Sequence, residues 1–190
     1  MDIFLSLCVG LGLSAACGFR IFVPLLMISA AALSGNLNLS SGFQWIGTYP
    51  ALIAFGAATA LEIAGYYVPW VDHLLDTVAT PCAIVAGTIA TASIVTDVSP
   101  FLKWSLAVIA GGGVAGLIQT STVFARGLST ASTGGLANPI FATAELSGAV
   151  VTSILSFFMP VLAVGLILCL LIFIGRKVLR LREQEPAAVP

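Results

Sequence analysis

Six apolar stretches separated by short polar linkers follow one another along 190 residues. Each is close to the roughly 20 residues that an α-helix needs to cross a bilayer core about 30 Å thick. Only 8% of the chain is charged and 59% is hydrophobic, with a mean hydropathy of +1.11. A soluble domain carries about 25% charged residues. The pattern predicts an all-α polytopic membrane protein of about six transmembrane helices, with no room for a separate soluble domain.

The first apolar stretch, Ile3 to Leu33, is interrupted by Gly18, Arg20 and Pro24. As one helix it would reach about 45 Å, longer than the bilayer core. A tilt, kink or break is therefore expected between Gly18 and Pro24. A polar linker from Ser34 to Gly47 follows, with Trp45 and Tyr49 suited to an interfacial belt. The second span runs from about Pro50 to Pro69, since proline opens helices and disfavours their continuation. In the next segment Trp70, Val71, Leu74, Leu75 and Val78 recur at amphipathic spacing, with Asp72, His73 and Asp76 on the other side. The remaining spans are expected at about Cys82 to Val98, Leu102 to Phe124, Ile140 to Met159 and Val161 to Ile174. A second polar linker, Arg126 to Pro139, lies between the fourth and fifth.

Net charge is −1, so no basic field exists to attract nucleic acid. Cys8, Cys17, Cys82 and Cys169 lack CxxC spacing and read as small apolar residues rather than disulfide or zinc ligands. The N-terminus carries Asp2 in place of a basic region, which argues against a cleaved signal peptide. Four of the seven basic residues, Arg176, Lys177, Arg180 and Arg182, gather near the C-terminus. The positive-inside rule then puts that end in the cytoplasm, and with six spans the N-terminus as well.

The two halves share an order of elements. Cys8 to Ala15 aligns without gaps on Ile109 to Gly116, and Tyr66 to Pro69 answers Phe157 to Pro160. The expected organisation is a three-helix repeat over residues 1–100, a second over 101–178 and a basic, proline-rich cytoplasmic tail over 179–190. Three spans per unit would make the copies inverted, an arrangement that in secondary transporters puts a site near the midplane at interrupted helices. The plainer reading is that glycine and proline are frequent in membrane helices.

A charge near the bilayer centre costs at least about 2.5–3.5 kcal/mol, so it usually faces a partner or a cavity. Arg20, Glu62 and Glu145 meet that description. Arg20 suits an anionic headgroup or carboxylate, and Glu62 and Glu145 suit a proton or cation. As structural elements, Arg20 would pair with a glutamate and Glu145 would cap its helix. Asp72 and Asp76 at i, i+4, with His73 between, make a possible cation or proton site or else a solvated edge. A lone histidine makes a transition-metal site improbable. Gln119, Thr120, Ser121 and Thr122 either bond between helices or line a substrate path, and Asn138 joins the substrate-binding candidates. Gly111, Gly112, Gly113 and Gly116 offer a close-packing face for a homodimer. No nucleophile elbow, zinc-protease or phosphate-loop motif is present, and no cofactor or metal is implied.

These residues resemble a bacterial integral membrane family catalogued as domain of unknown function 4126. The resemblance rests on GFRIFVPLL in the first span, on E-x6-P-W-V-D-x3-D from Glu62 to Asp76, on P-x4-A-G from Pro81 to Gly87, and on N-P-x5-E from Asn138 to Glu145. It covers about residues 10 to 170. Gly65 stands where the family pattern has an acid, and Thr80 where it has an arginine. The resemblance implies a multi-pass protein of the bacterial cytoplasmic membrane and supplies no activity. The residues themselves favour a small secondary transporter or lipid-headgroup translocator, possibly proton-coupled, acting on a small anionic or lipid-linked substrate. The alternatives are a non-transporting scaffold or dimerising module, and a membrane enzyme acting on a lipid through a metal at Asp72 and Asp76.

Overall fold

The computed structural model describes residues 2–68 and 71–183, with side chains as far as Lys177. Pro69 and Trp70, expected to end the second span and to open the amphipathic segment, lie outside the described residues. So do the side chains of Arg180 and Arg182 and all of residues 184–190.

Every described element is helical: α1 (Ile3–Phe19), α2 (Phe22–Leu33), a 3-10 turn (Gln44–Gly47), α3 (Tyr49–Tyr66), α4 (Val71–Ile94), α5 (Pro100–Leu106), a π-helical stretch (Ala107–Gly112), α6 (Gly113–Thr133), α7 (Asn138–Phe158) and α8 (Pro160–Glu183). Among the described residues, four segments are long and apolar enough to cross a membrane: α4, the continuous Pro100–Thr133 helix, α7 and Pro160–Lys177 of α8. α1 and α2 are apolar but shorter.

The helix ends follow local chemistry. Thr48 Oγ1 accepts the Ala51 N–H at 3.4 Å, with Pro50 in the first turn of α3. Ser99 Oγ accepts the Leu102 N–H at 3.3 Å, with Pro100 opening α5. Pro139 occupies the first turn of α7. These prolines occupy positions where a missing N–H costs nothing. α6 stops at Gly134, which takes the left-handed conformation (φ +65°) that glycine adopts without strain. Trp45 and Tyr49 are both exposed.

Three boundaries differ from those expected, and the first is that α8 runs on past Ile174 to Glu183. The amphipathic segment and the third span are one helix, α4, which carries Pro81 in its interior. α6 continues through most of the second polar linker, where Ser132 and Thr133 donate their hydroxyls to the carbonyls of Leu128 and Ser129.

The first apolar stretch breaks where Gly18 and Pro24 bracket it. Arg20 is extended (φ −146°, ψ 127°) between α1 and α2. α2 then runs back the way α1 came. Phe22 lies against Glu62 near the end of α3, whereas Ser29 donates to the Ile46 carbonyl at 2.6 Å and Ala32 packs on Gly47 ahead of α3. α2 and α3 are thus antiparallel. On α1, Gly10 faces Thr91, and Ser14 donates to the Gly87 carbonyl, so α1 is antiparallel to α4. Ser40 N–H bonds the Ser93 carbonyl at 2.7 Å, which places the start of α3 at the C-terminal end of α4. α1 and α2 together make a hairpin whose tip is Arg20 and Ile21.

The core of this bundle is a seam of small residues. Gly10, Ser14 and Gly18 on α1 meet Gly87 and Thr91 on α4 and Ala115 and Ile118 on α6. Small side chains let helix backbones approach closely enough for dispersion to hold them in lipid. Gly111, Gly112 and Gly116 pack on Ile84, Gly87, Thr88 and Thr91 of the same chain, and only Gly113 of that set faces open space. Three of the four glycines considered as a dimer face are therefore buried within the monomer. Gly111 also lies beside Thr91, level with Gly10, so α1 and α6 run in the same direction.

Candidate functional site

The tip of the α1–α2 hairpin creates a problem that the rest of the site answers. Breaking a helix frees backbone N–H groups, and here they lie inside the bundle. Glu62, reaching from α3, accepts the Ile21 N–H at 2.8 Å and the Phe22 N–H at 3.0 Å. Its two oxygens cap α2, and its charge lies at the positive end of that helix.

Arg20 points the other way, into the space between α3, α6 and α7, and is 1% exposed. Its Nη2 donates to the Ala142 carbonyl at 2.9 Å and stands 3.5 Å from Glu145 Oε2. A second guanidinium, that of Arg126 on α6, is 2% exposed. Its Nε is 3.2 Å from Glu145 Oε1 and its Nη2 is 2.8 Å from Asp76 Oδ1. Both guanidiniums lie on the ring of Tyr66, with Cζ to centroid distances of 3.8 Å for Arg20 and 4.3 Å for Arg126. Flat, weakly hydrated guanidiniums stack on aromatic faces in a way that ammonium groups do not.

The ion contacts are close but poorly directed. Arg20 Nε and Nη1, the three Arg126 nitrogens and both Glu145 oxygens have no hydrogen-bond partner of acceptable geometry.

Above the guanidiniums, Asp72 Oδ2 accepts from Asn138 Nδ2 at 2.9 Å and its Oδ1 from the His73 N–H at 2.8 Å. Asn138 is also bonded to Thr130. This ties the start of α4 to the end of α6 and the start of α7. The mouth here is a cavity of about 270 Å³ lined by Tyr66, Tyr67, Asp72, His73, Gly134, Gly135, Leu136, Asn138 and Pro139. Tyr66 belongs to both the cavity wall and the guanidinium stack.

Of the residues picked out by sequence, Arg20, Glu62, Asp72, Asp76, Asn138 and Glu145 converge here. His73 is on the cavity wall with its side chain exposed. Gln119 is 2% exposed on the Arg126 face of α6, two turns earlier, and its Nε2 is unpartnered. Ser121 is not brought in, since its hydroxyl donates to the Leu117 carbonyl of its own helix. The solvated-edge alternative for Asp72 and Asp76 is overturned. Asp72 is buried, Asp76 is 14% exposed, and the apolar Val71, Leu74 and Val78 are the ones facing out.

Sequence reasoning missed Tyr66, and the repeat pointed to the stretch from Gln119 to Arg126 without naming Arg126 as a site residue. Arg126 read as the first residue of a linker. Its position two turns after the buried Gln119 was the available signal. Tyr66 had no signal beyond its nearness to Glu62.

The chain matches, over residues 7–180, the family described as "Domain of unknown function (DUF4126)". No curated protein and no solved structure gives a match. The matched span covers nearly the whole described bundle and every residue of the cluster, and the chain belongs to the DUF4126 family.

Proposed function

We propose that this protein is a small membrane transporter or headgroup translocator whose substrate presents an anion to Arg20 and Arg126. One observation carries the reading: two buried guanidiniums, stacked on one tyrosine, keep N–H donors without directed acceptors beneath an open cavity. An anion stabilises such a pair by charge-assisted hydrogen bonds. Purely structural ion pairs would gain from full satisfaction, which this site lacks.

The membrane arrangement that fits this function has five crossing segments, α3, α4, α5–α6, α7 and α8, with the α1–α2 hairpin entering and leaving through one face. Its support is the antiparallel course of α1 and α2. In this arrangement the two three-helix units are inverted for α3 against α7 and for α4 against α8, while α1 and α6 run in the same direction. The basic residues after Ile174 put the C-terminus and the Tyr66–Asn138 cavity on the cytoplasmic side, and the N-terminus on the opposite side. The hairpin tip then lies beneath the cytoplasmic cavity, with Tyr66 between them.

Flux of radiolabelled phosphate or of a fluorescent short-chain phosphatidic acid in proteoliposomes tests the function. The wild type is expected to move one of the two, and Arg20→Ala and Arg126→Ala to lose that flux. Equal flux in all three proteins counts decisively against it.

A further inference from the structure

The site contains four carboxylates, and three are held differently from the fourth. Glu62 has two directed backbone donors at 2.8 and 3.0 Å. Asp72 has two donors at 2.8 and 2.9 Å. Asp76 shares with Glu145 an oxygen that receives no well-directed hydrogen bond, but it is 14% exposed and faces Arg126 and not Arg20. Glu145 is 5% exposed and stands against both guanidiniums, 3.5 Å from Arg20 and 3.2 Å from Arg126, yet neither of its oxygens receives a well-directed hydrogen bond. A carboxylate that is buried, doubly charge-paired and unbonded is positioned for its charge alone.

We propose that Glu145 is the site's internal competitor: it occupies, between Arg20 and Arg126, the place that the substrate's own oxyanion takes on binding. This inference rests on the reading of the arginine pair as an anion site and adds what keeps that site closed when empty. Without Glu145, two like charges stacked on one ring would repel each other in a low-dielectric setting. With Glu145 and Asp76 together the two positive charges are balanced, but the guanidinium N–H groups stay under-used. A phosphate or carboxylate has the planar or tetrahedral oxygens that match guanidinium forks in a directed, bidentate way.

Glu145 also lies two turns along α7 from Asn138, which lines the cavity. An oxyanion arriving through that cavity passes Asn138 and Tyr66 and meets Glu145 next. The substrate class is therefore an oxyanion of phosphate or carboxylate type, either free or borne on a lipid headgroup.

Calorimetric titration of the full chain in detergent, with inorganic phosphate and separately with short-chain phosphatidic acid, tests the proposal. Glu145→Gln keeps the shape and removes the competing charge, so it is expected to bind at least one of the two probes about tenfold tighter than wild type. Tightening with phosphate identifies a free solute, and tightening with phosphatidic acid alone identifies a headgroup. Glu62→Gln, which disturbs the α2 cap instead, is expected to bind no more tightly than wild type. Should Glu145→Gln fail to give monodisperse protein, Glu145→Asp, which withdraws the charge by one methylene, is expected to shift affinity in the same direction by a smaller factor. Affinity unchanged or weakened in a folded Glu145 variant overturns the proposal. Wild-type flux that survives such a result would leave the transport reading standing, and tighter binding without any flux would leave the competitor standing alone.

Discussion

Glu62 holds the backbone N–H of Ile21 at 2.8 Å across the interface between α3 and the hairpin tip. A residue whose charge reads as functional is thus first of all the cap on a broken helix. The neighbouring Arg20 is free to face the bundle interior because Glu62 satisfies the backbone behind it.

Glu62→Ala leaves the Ile21 and Phe22 N–H groups without acceptors, and is expected to destabilise the protein by about 2–3 kcal/mol. Glu62→Gln keeps one acceptor oxygen and is expected to lose about half as much. Thermal unfolding in a single detergent, followed by circular dichroism, measures both. Equal melting of Glu62→Ala and wild type would remove the capping role.

Arg126→Met strips the partner from Asp76 and from one side of Glu145. Removing one member of a buried pair costs about 3–5 kcal/mol. Asp76→Asn is expected to cost less, because Asp76 is 14% exposed and water takes up part of the loss. The order of the two melting temperatures is the test, and the reverse order would mean that Arg126 is not held chiefly by charge.

A Cβ at Gly111 would meet the Gly87 carbonyl oxygen at 2.8 Å, whereas one at Gly113 meets nothing. Gly111→Leu is expected to prevent folding, and Gly113→Leu to change stability by less than about 0.5 kcal/mol. Crosslinking that shows a dimer lost in Gly113→Leu, with the monomer intact, would revive the dimerising-module reading.

Single cysteines at Asp2, Asn36 and Asp97 are expected to react with an impermeant maleimide from one side of the membrane, and one at Leu136 from the other. The hairpin requires Asp2 and Asn36 to label together. Labelling of Asp2 from the side of Leu136 would restore one long first span.

Much of this was legible in the sequence for a physical reason: hydrocarbon tolerates little besides satisfied helices, so Arg20, Glu62 and Glu145 announce a protein-lined interior wherever they fall. The Gly18 to Pro24 interval marked the break correctly. What it did not carry was direction. A residue such as Arg20 takes extended angles either in a kinked through-going helix or at a hairpin tip, and the choice is made by Glu62 and Ile46, far along the chain. Arg126 and the Asp72 face were misplaced by a habit suited to water, in which a polar run such as RGLSTAST ends a helix and charged faces point outward. Here the hydroxyls of Ser132 and Thr133 bond back to their own helix, and the Asp72, Asp76 and Arg126 charges turn inward.

Anomalous diffraction from crystals of the Glu145→Gln protein grown in selenate tests the central claim most directly, since selenate has the tetrahedral oxygens of phosphate and a scatterer at its centre. The account expects a selenium peak beside Tyr66, with its oxygens within hydrogen-bond reach of both the Arg20 and Arg126 guanidiniums. A map with selenate ordered elsewhere on the molecule and none between those two side chains would contradict it.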